Sequence, residues 1–125
     1  GVLGISGISS DMREIDAAAE SGDPKAVLAL AMYNYRIKKY VGAYAAAMGG
    51  VDIVVFTAGV GENQSSMRAE VCRNMEWMGI KLDEEKNKTV RGVEAVISAP
   101  DSKVTVVVIP TDEELMIASD TMALL

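Results

Sequence analysis

Apolar residues recur at helical spacing in the stretch that follows a Ser-Gly-Asp-Pro break. Asp23 and Pro24 suit the N-cap and first turn of a helix, and a pair of glycines suits its end. The pattern therefore predicts one long helix over Lys25–Met48. Its apolar side is formed by Val27, Leu30, Ile37, Val41, Tyr44 and Met48. Asn34 interrupts that side, and we interpret it as a buried, hydrogen-bonded asparagine.

Three further helices are predicted from the same spacing. The first runs from Met12 to about Glu20, capped by Asp11, after a glycine- and serine-rich loop at residues 1–10. The second begins near Asn63, and the last covers residues 112–125. The buried side of the second consists of Met67, Val71, Met75 and Met78, with Cys72 beside them. The side of the last that faces the core consists of Leu115, Ala118, Met122 and Leu125.

Short β-branched runs between these helices predict strands. Val51–Phe56 and Val104–Ile109 are apolar throughout most of their length, which is typical of strands buried on both faces of a parallel sheet. Val93–Ser98 is another candidate, and Ile80–Leu82 is a short one. Strands that alternate with helices predict an α/β fold with a mixed or mainly parallel sheet flanked by helices.

The composition excludes several functional classes. The 125 residues contain no histidine, so Ser-His, Cys-His and His-metal sites are absent from this sequence. The formal net charge is -6, and the basic cluster Arg36, Lys38 and Lys39 is explained by a solvated helix face, which argues against a nucleic-acid partner. No apolar run is long enough to span a membrane. The single cysteine, Cys72, fits a cytoplasmic protein, and the apolar start without methionine fits a piece of a larger one.

Ligands of such sheets gather at the carboxyl ends of the strands, where Thr57–Asn63 and Pro110–Glu114 lie. In the first loop, Gly59 and Gly61 have no Cβ, so the backbone can turn sharply and a ligand can approach it. A helix opening near Asn63 would point free N–H groups at the same place. This geometry is common at nucleotide sites, but many strand-to-helix turns use two glycines for steric reasons alone.

The second loop contains four polar residues, Thr111-Asp-Glu-Glu114. Thr111 and Glu114 fit a capping box, and Asp112 and Glu113 suit a helix N-terminus through the dipole. Helix capping therefore explains all of them. Glu113 nevertheless has no partner in that motif, and a carboxylate at the end of a buried strand can also hold a hard cation.

Two charged segments allow the same two interpretations. Asp11 is the N-cap of a helix, and Arg13 is either an ordinary surface charge or a contact to phosphate or ribose. Arg68 lies on the helix after the glycine loop, where we expect it to pair with Glu70 or Glu62 rather than to face the cleft.

Three segments, taken together, resemble the C-terminal part of the acetate kinase family. They are GVLGISGISSDMR at residues 1–13, VFTAGVGEN at 55–63 and IPTDEELMIA at 109–118. Their order and separation also resemble the family, so the likeness covers essentially all of the chain. Propionate and butyrate kinases are related, so the resemblance indicates acyl-phosphate chemistry more firmly than it indicates the acid.

The resemblance implies a ribonuclease H-like fold in two domains around a nucleotide cleft. Residues 1–125 would be a single C-terminal nucleotide-binding segment of such a kinase. The family transfers the γ-phosphoryl group of ATP to acetate, giving acetyl phosphate and ADP, reversibly and with Mg²⁺. Its members form homodimers through this domain, so the long helix would face either a partner subunit or the interior.

The resemblance also implies roles for particular residues. The nucleotide site would be formed by Asp11, Met12, Arg13, Gly59, Val60, Gly61, Glu62 and Asn63. Glu113 would be the carboxylate associated with Mg²⁺, and Asp112 departs from the asparagine that the family often has there. The family's catalytic residues lie upstream of this segment, so no catalytic residue is assigned here and the piece alone is expected to be inactive. A non-enzymatic ATP-binding or assembly module of the same fold is the alternative.

Overall fold

The structure is a computed structural model that describes residues 1–124, in which helices pack against a small sheet. In chain order the elements are α1 (Val2–Ser6), α2 (Met12–Glu20), α3 (Pro24–Met48), β1 (Ile53–Phe56), α4 (Ala58–Asn63), α5 (Ser65–Cys72), α6 (Glu84–Thr89), β2 (Ala95–Val96), β3 (Thr105–Val108) and α7 (Glu113–Ala123). A 3₁₀ turn at Glu76–Met78 lies between α5 and α6. The predicted α/β class with a mixed sheet is confirmed.

The sheet has the order β1-β3-β2. β1 runs parallel to β3, pairing Ile53 with Thr105 and Phe56 with Val108, and β2 runs antiparallel to β3. Val108 is fully buried, as is Val106 on the same side of the strand. The prediction of a central buried strand after residue 103 is therefore confirmed.

The first strand is buried on one face rather than on both. Val54 and Phe56 pack into the core, whereas Ile53 is 57% exposed and Val55 is 47% exposed. β1 lies at the edge of the sheet, and the described helices cover only its inner face. An apolar run alone cannot distinguish this arrangement from a strand covered on both sides.

The long helix has the predicted length, but its predicted apolar side is only partly buried: Leu30 also packs against a core, and Val27 is exposed. Tyr44 is 62% exposed and Met48 is 66% exposed, while the fully buried positions are the small residues Ala26, Ala29 and Ala45. Alanine has no side chain beyond Cβ, so α3 packs closely against its neighbours through its backbone. Ile37 and Val41, from the predicted side, are partly buried against the main core.

Local capping chemistry explains the starts of α2 and α3. The Asp11 carboxylate accepts a hydrogen bond of 2.9 Å from the Arg13 amide, and the Asp23 carboxylate accepts bonds from two amides of the first turn of α3. The start of α2 at Met12 is therefore confirmed. Residues 1–10, expected to form a loop, contain the short helix α1, which Gly7 ends with φ of +69°.

Two later helices differ from the prediction. The helix after the glycine loop ends at Cys72, and the chain then turns through Asn74 with φ of +57°. Of its predicted buried side, Met67, Val71 and Met75 are buried, as is Cys72, and Met78 is half-buried. In α7, Leu115 is 60% exposed and Met122 is 69% exposed, so the predicted core-facing side is wrong for the described residues. Leu125, also assigned to that side, lies outside them.

Candidate functional site

The two glycines lie inside a short helix, not in an open loop. α4 begins immediately after β1, and the tight turn is made by Ala58, whose φ is +58°. The predicted helix start near Asn63 is confirmed, since α5 begins at Ser65, but the separate short helix α4 before it was not predicted. A Cβ on Gly61 would lie 3.2 Å from the carbonyl carbon of Phe56, so glycine is required there for close packing.

An open cleft lies between the start of α2 and α4, the short helix that contains Gly59 and Gly61 and is called the glycine helix below. Its volume is about 1020 Å³. The predicted nucleotide-site residues that line it are Asp11, Met12, Arg13, Gly59, Val60 and Asn63. Gly61 and Glu62 are not among the lining residues, since Gly61 is buried against β1 and the Glu62 side chain turns toward Thr111. Two segments far apart in sequence thus meet at one cleft.

Asp11 and Arg13 form an ion pair at the mouth of this cleft. The Arg13 Nη2 donates to Asp11 Oδ2 at 2.6 Å, and the Arg13 side chain is 86% exposed. The hydrogen bond from the guanidinium lowers the pKa of the Asp11 carboxyl to about 2. Asp11 therefore stays ionised while it also caps α2, and Arg13 keeps N–H groups available to an anion in the cleft.

Several further cleft residues were not predicted from the sequence, among them Asp16, Gln64 and Arg91. The Gln64 side-chain amide donates to the Asp16 carboxylate, and burial raises the pKa of Asp16. Asp16 is four residues after Met12, which places both on one face of α2, so helical spacing would have found it. Arg91 lies in an irregular segment and carries no comparable signal.

A smaller cavity of about 420 Å³ adjoins the cleft between α2, α3 and α5. Both Asn34 and Gln64 line it, and the buried Asn34 Oδ1 and Gln64 Oε1 atoms accept no hydrogen bond from the described residues. The prediction that Asn34 is a buried, hydrogen-bonded asparagine is therefore wrong for its oxygen. The cause is that the side chain faces this cavity rather than a backbone donor.

Arg68 is the most deeply buried polar side chain of the site region. It is 0% exposed, and all five N–H groups of its guanidinium donate to neutral oxygens at 2.7–3.0 Å. The acceptors are Asn87 Oδ1 and the carbonyls of Gly61, Glu62, Asn87 and Val90. The predicted pairing with a carboxylate is wrong, and Arg68 instead fixes the end of α4. Burial lowers its pKa.

The glycine helix is tied to the loop before α7 by one side chain. Glu62 Oε1 accepts from the Thr111 amide at 2.9 Å and from Thr111 Oγ1 at 3.2 Å. The predicted capping box with Thr111 and Glu114 is therefore wrong. Asp112 caps α7 instead, since its carboxylate accepts from the Leu115 amide at 3.1 Å.

Glu113 is the first residue of α7, and its side chain is exposed. Among residues 1–124, no cluster of three or more histidine, cysteine, aspartate or glutamate side chains could enclose a metal ion. A lone carboxylate does not make a protein cage for a cation. It does fit Mg²⁺, which commonly takes one or two carboxylates and completes its shell with water and phosphate oxygens.

The described part of the chain contains no helix that is both long enough and apolar enough to cross a membrane.

Comparison with known proteins shows the family. The model of the Acetokinase family matches residues 1–119. The acetate kinase of Phocaeicola vulgatus is 72% identical over all 125 residues, which correspond to 31% of its own length. The chain therefore spans about a third of the curated relatives that it matches.

Two solved structures have the same fold. The crystal structure of Porphyromonas gingivalis acetate kinase is 66% identical with a TM-score of 0.91, covering 98% of this chain and 31% of that one. A propionate kinase from Francisella tularensis is 37% identical with a TM-score of 0.82, covering 94% of this chain and 29% of that one. The fold expected for this segment is confirmed, and the chain belongs to the acetokinase family.

Proposed function

We propose that this chain is the C-terminal nucleotide-binding segment of a two-domain acetate kinase. The enzyme would transfer the γ-phosphoryl group of ATP reversibly to acetate, giving acetyl phosphate and ADP. The observation that carries the proposal is the shared cleft, in which Asp11–Arg13 meets Gly59, Val60 and Asn63. Acetate is favoured over propionate as the acid because acetate kinases of 61–72% identity match the chain, whereas the propionate kinase is 37% identical.

The cleft would hold the adenosine end of the nucleotide. Its floor is the glycine helix, where Gly59 leaves nothing within 4 Å of its missing Cβ, so a flat base can approach the backbone. Arg13 stands at the mouth with an exposed guanidinium, which suits an anionic phosphate or a ribose hydroxyl. The phosphates would extend from there toward Glu113.

Glu113 would hold Mg²⁺ together with phosphate oxygens and water. The bound cation would supply neutralisation of the charge on the transferred phosphoryl oxygens. The chain itself would bind and orient the nucleotide. Phosphoryl transfer depends on charge stabilisation from both walls of a cleft, so the acid-binding and catalytic groups would come from the rest of the protein.

Two further properties belong to the same proposal. The full-length protein would be a homodimer, which is supported by the exposed apolar residues Tyr40, Tyr44 and Met48 along α3. It would act in the cytoplasm, where a single unpaired cysteine is normal.

The test uses the full-length protein that carries this segment. The wild type is expected to form acetyl phosphate from acetate and Mg·ATP, and the product is detected by trapping it with hydroxylamine. Glu113→Ala is expected to lose this activity. Glu114→Ala is the matched control, because it removes an exposed carboxylate from the same helical turn and is expected to retain activity. A wild type that binds ATP but forms no acetyl phosphate would instead indicate a non-enzymatic ATP-binding module.

A further inference from the structure

Glu62 lies within the segment expected to contact nucleotide, but its side chain does not reach the cleft. It is half-buried, and Oε1 is occupied by two donors of Thr111. The two residues are 49 positions apart in sequence, so this contact joins separate parts of the fold. This geometry therefore argues against a direct contact between the Glu62 side chain and the nucleotide.

The backbone of Glu62 is fixed as firmly as its side chain. Its carbonyl accepts from the buried Arg68 guanidinium at 3.0 Å and from the Gly92 amide at 3.1 Å. Because Glu62 is held at both its carbonyl and its carboxylate, a shift of α4 would also shift Thr111. Rigid, fully bonded polar groups specify one arrangement of their surroundings.

The loop on the other side of the contact has few other restraints. Thr111 lies two residues before Glu113, and no described residue of α7 is buried. Packing within residues 1–124 therefore does little to fix the direction of α7. The two hydrogen bonds from Thr111 to Glu62 and the capping bond of Asp112 therefore fix the start of α7, and with it the position of Glu113.

We propose that Glu62 is a positioning residue that couples the glycine helix α4 to the carboxylate of Glu113. It holds Thr111 so that a nucleotide in the cleft and a cation at Glu113 are bound at matched positions. The inference rests on the proposed function, since it assigns the coupling between the two ligands of that site. It predicts that ATP and Mg²⁺ strengthen each other's binding through the contact between Glu62 and Thr111.

The experiment measures this coupling in the full-length protein by isothermal titration calorimetry. The affinity for ATP is determined with and without Mg²⁺, and the ratio of the two is the coupling factor. Glu62→Ala is expected to lower that factor about tenfold, the effect of one net hydrogen bond to a charged group, while affinity without Mg²⁺ changes less than about twofold. Glu62→Gln keeps an acceptor oxygen and is expected to restore most of the factor.

Thr111→Val tests the contact from its other side. It removes the hydroxyl at an exposed position and leaves the amide, so a folded protein with a smaller loss of coupling is expected. In Glu62→Ala combined with Thr111→Val, the two effects should not add, because they remove the same contact. Glu114→Gln is the matched control for charge and is expected to leave the coupling factor unchanged.

Three results would overturn the proposal. An equal fall in affinity with and without Mg²⁺ in Glu62→Ala would make Glu62 a nucleotide contact. An unchanged coupling factor in both Glu62→Ala and Thr111→Val would make the contact structural only. A loss in Glu114→Gln as large as that in Glu62→Ala would make the effect one of net charge. Failure of the proposed function is distinguishable, since the wild type itself would then either not bind ATP or bind it and form no acetyl phosphate.

Discussion

Replacing Arg68 by methionine tests whether the buried guanidinium holds the glycine helix in place. Methionine fills a similar volume without any N–H group, so the substitution removes all five hydrogen bonds, and of the five acceptor oxygens the Glu62 carbonyl keeps its bond from the Gly92 amide. Four of those oxygens are backbone carbonyls that cannot turn away without moving the chain. The perturbation therefore acts on α4, α6 and the segment after it together.

The magnitude follows from these contacts. Hydrogen bonds to a charged group contribute about 1.5–3 kcal/mol each, so five would total roughly 7 kcal/mol or more. Burying an ion without a counter-ion costs several kcal/mol, which the substitution recovers. We expect Arg68→Met to lower the free energy of unfolding by about 3–5 kcal/mol, a large fraction of the stability of a small domain.

The assay is urea unfolding followed by far-ultraviolet circular dichroism. Arg73→Met is the matched control, because that side chain is 63% exposed and forms a surface ion pair with Glu70; its cost should be about 0.5 kcal/mol or less. Arg68→Lys should fall between the two, since an ammonium group cannot reproduce a planar fork of five donors. Equal unfolding midpoints for Arg68→Met and Arg73→Met would refute the reasoning.

Three other predictions concern the glycine helix, the ion pair and the thiol. Gly59→Ala should stabilise the chain by about 0.5–1 kcal/mol, because it restricts the unfolded chain at an open helical position. Gly61→Ala should destabilise the chain by about 1–3 kcal/mol, because the added Cβ clashes with β1. Chemical denaturation compares the two. In a carbon-13 NMR titration, Asp11 should show a pKa of about 2 that rises toward 3.8 in Arg13→Met. Burial raises the pKa of Cys72 to about 12, so a thiol reagent should label it about a hundredfold more slowly in buffer than in urea.

Each of these predictions has a contrary outcome. Similar stabilities for Gly59→Ala and Gly61→Ala would mean that the close approach to β1 relaxes freely. Because the folded pKa of Asp11 is depressed, its contribution to stability is complete above about pH 4 and is lost as the pH falls toward 2. An Arg13→Met variant with the same acid dependence would contradict the assigned cause. Rapid labelling of Cys72 in native buffer would contradict its burial.

Features that depend on neighbours in sequence were predictable. Asp11 and Asp23 cap their helices because a short acidic side chain reaches the amides of the following turn, which needs nothing from elsewhere. The burial of Val106 and Val108 agrees with the prediction from their β-branched run, although a similar run leaves Ile53 and Val55 exposed at the edge of the sheet. The meeting of Asp11 with the glycine segment followed from the family resemblance and not from spacing.

Features that depend on distant contacts were not predictable. Thr111 satisfies every local requirement of a capping box, but Glu62 takes its hydroxyl from across the fold, so the cap moves to Asp112. Arg68 occupies an ordinary helical position, and only the surrounding carbonyls show why it is buried. Sequence spacing alone does not predict such contacts between residues that are distant in the sequence.

The edge position of β1 has a consequence for handling the chain by itself. One side of the strand pairs with β3, and its other side, beside the exposed Ile53 and Val55, pairs with no strand of residues 1–124. Such an edge accepts a strand from any chain that offers one. Purified alone, the chain should therefore self-associate as its concentration rises, and a charged substitution such as Val55→Lys should keep it dispersed without touching the cleft.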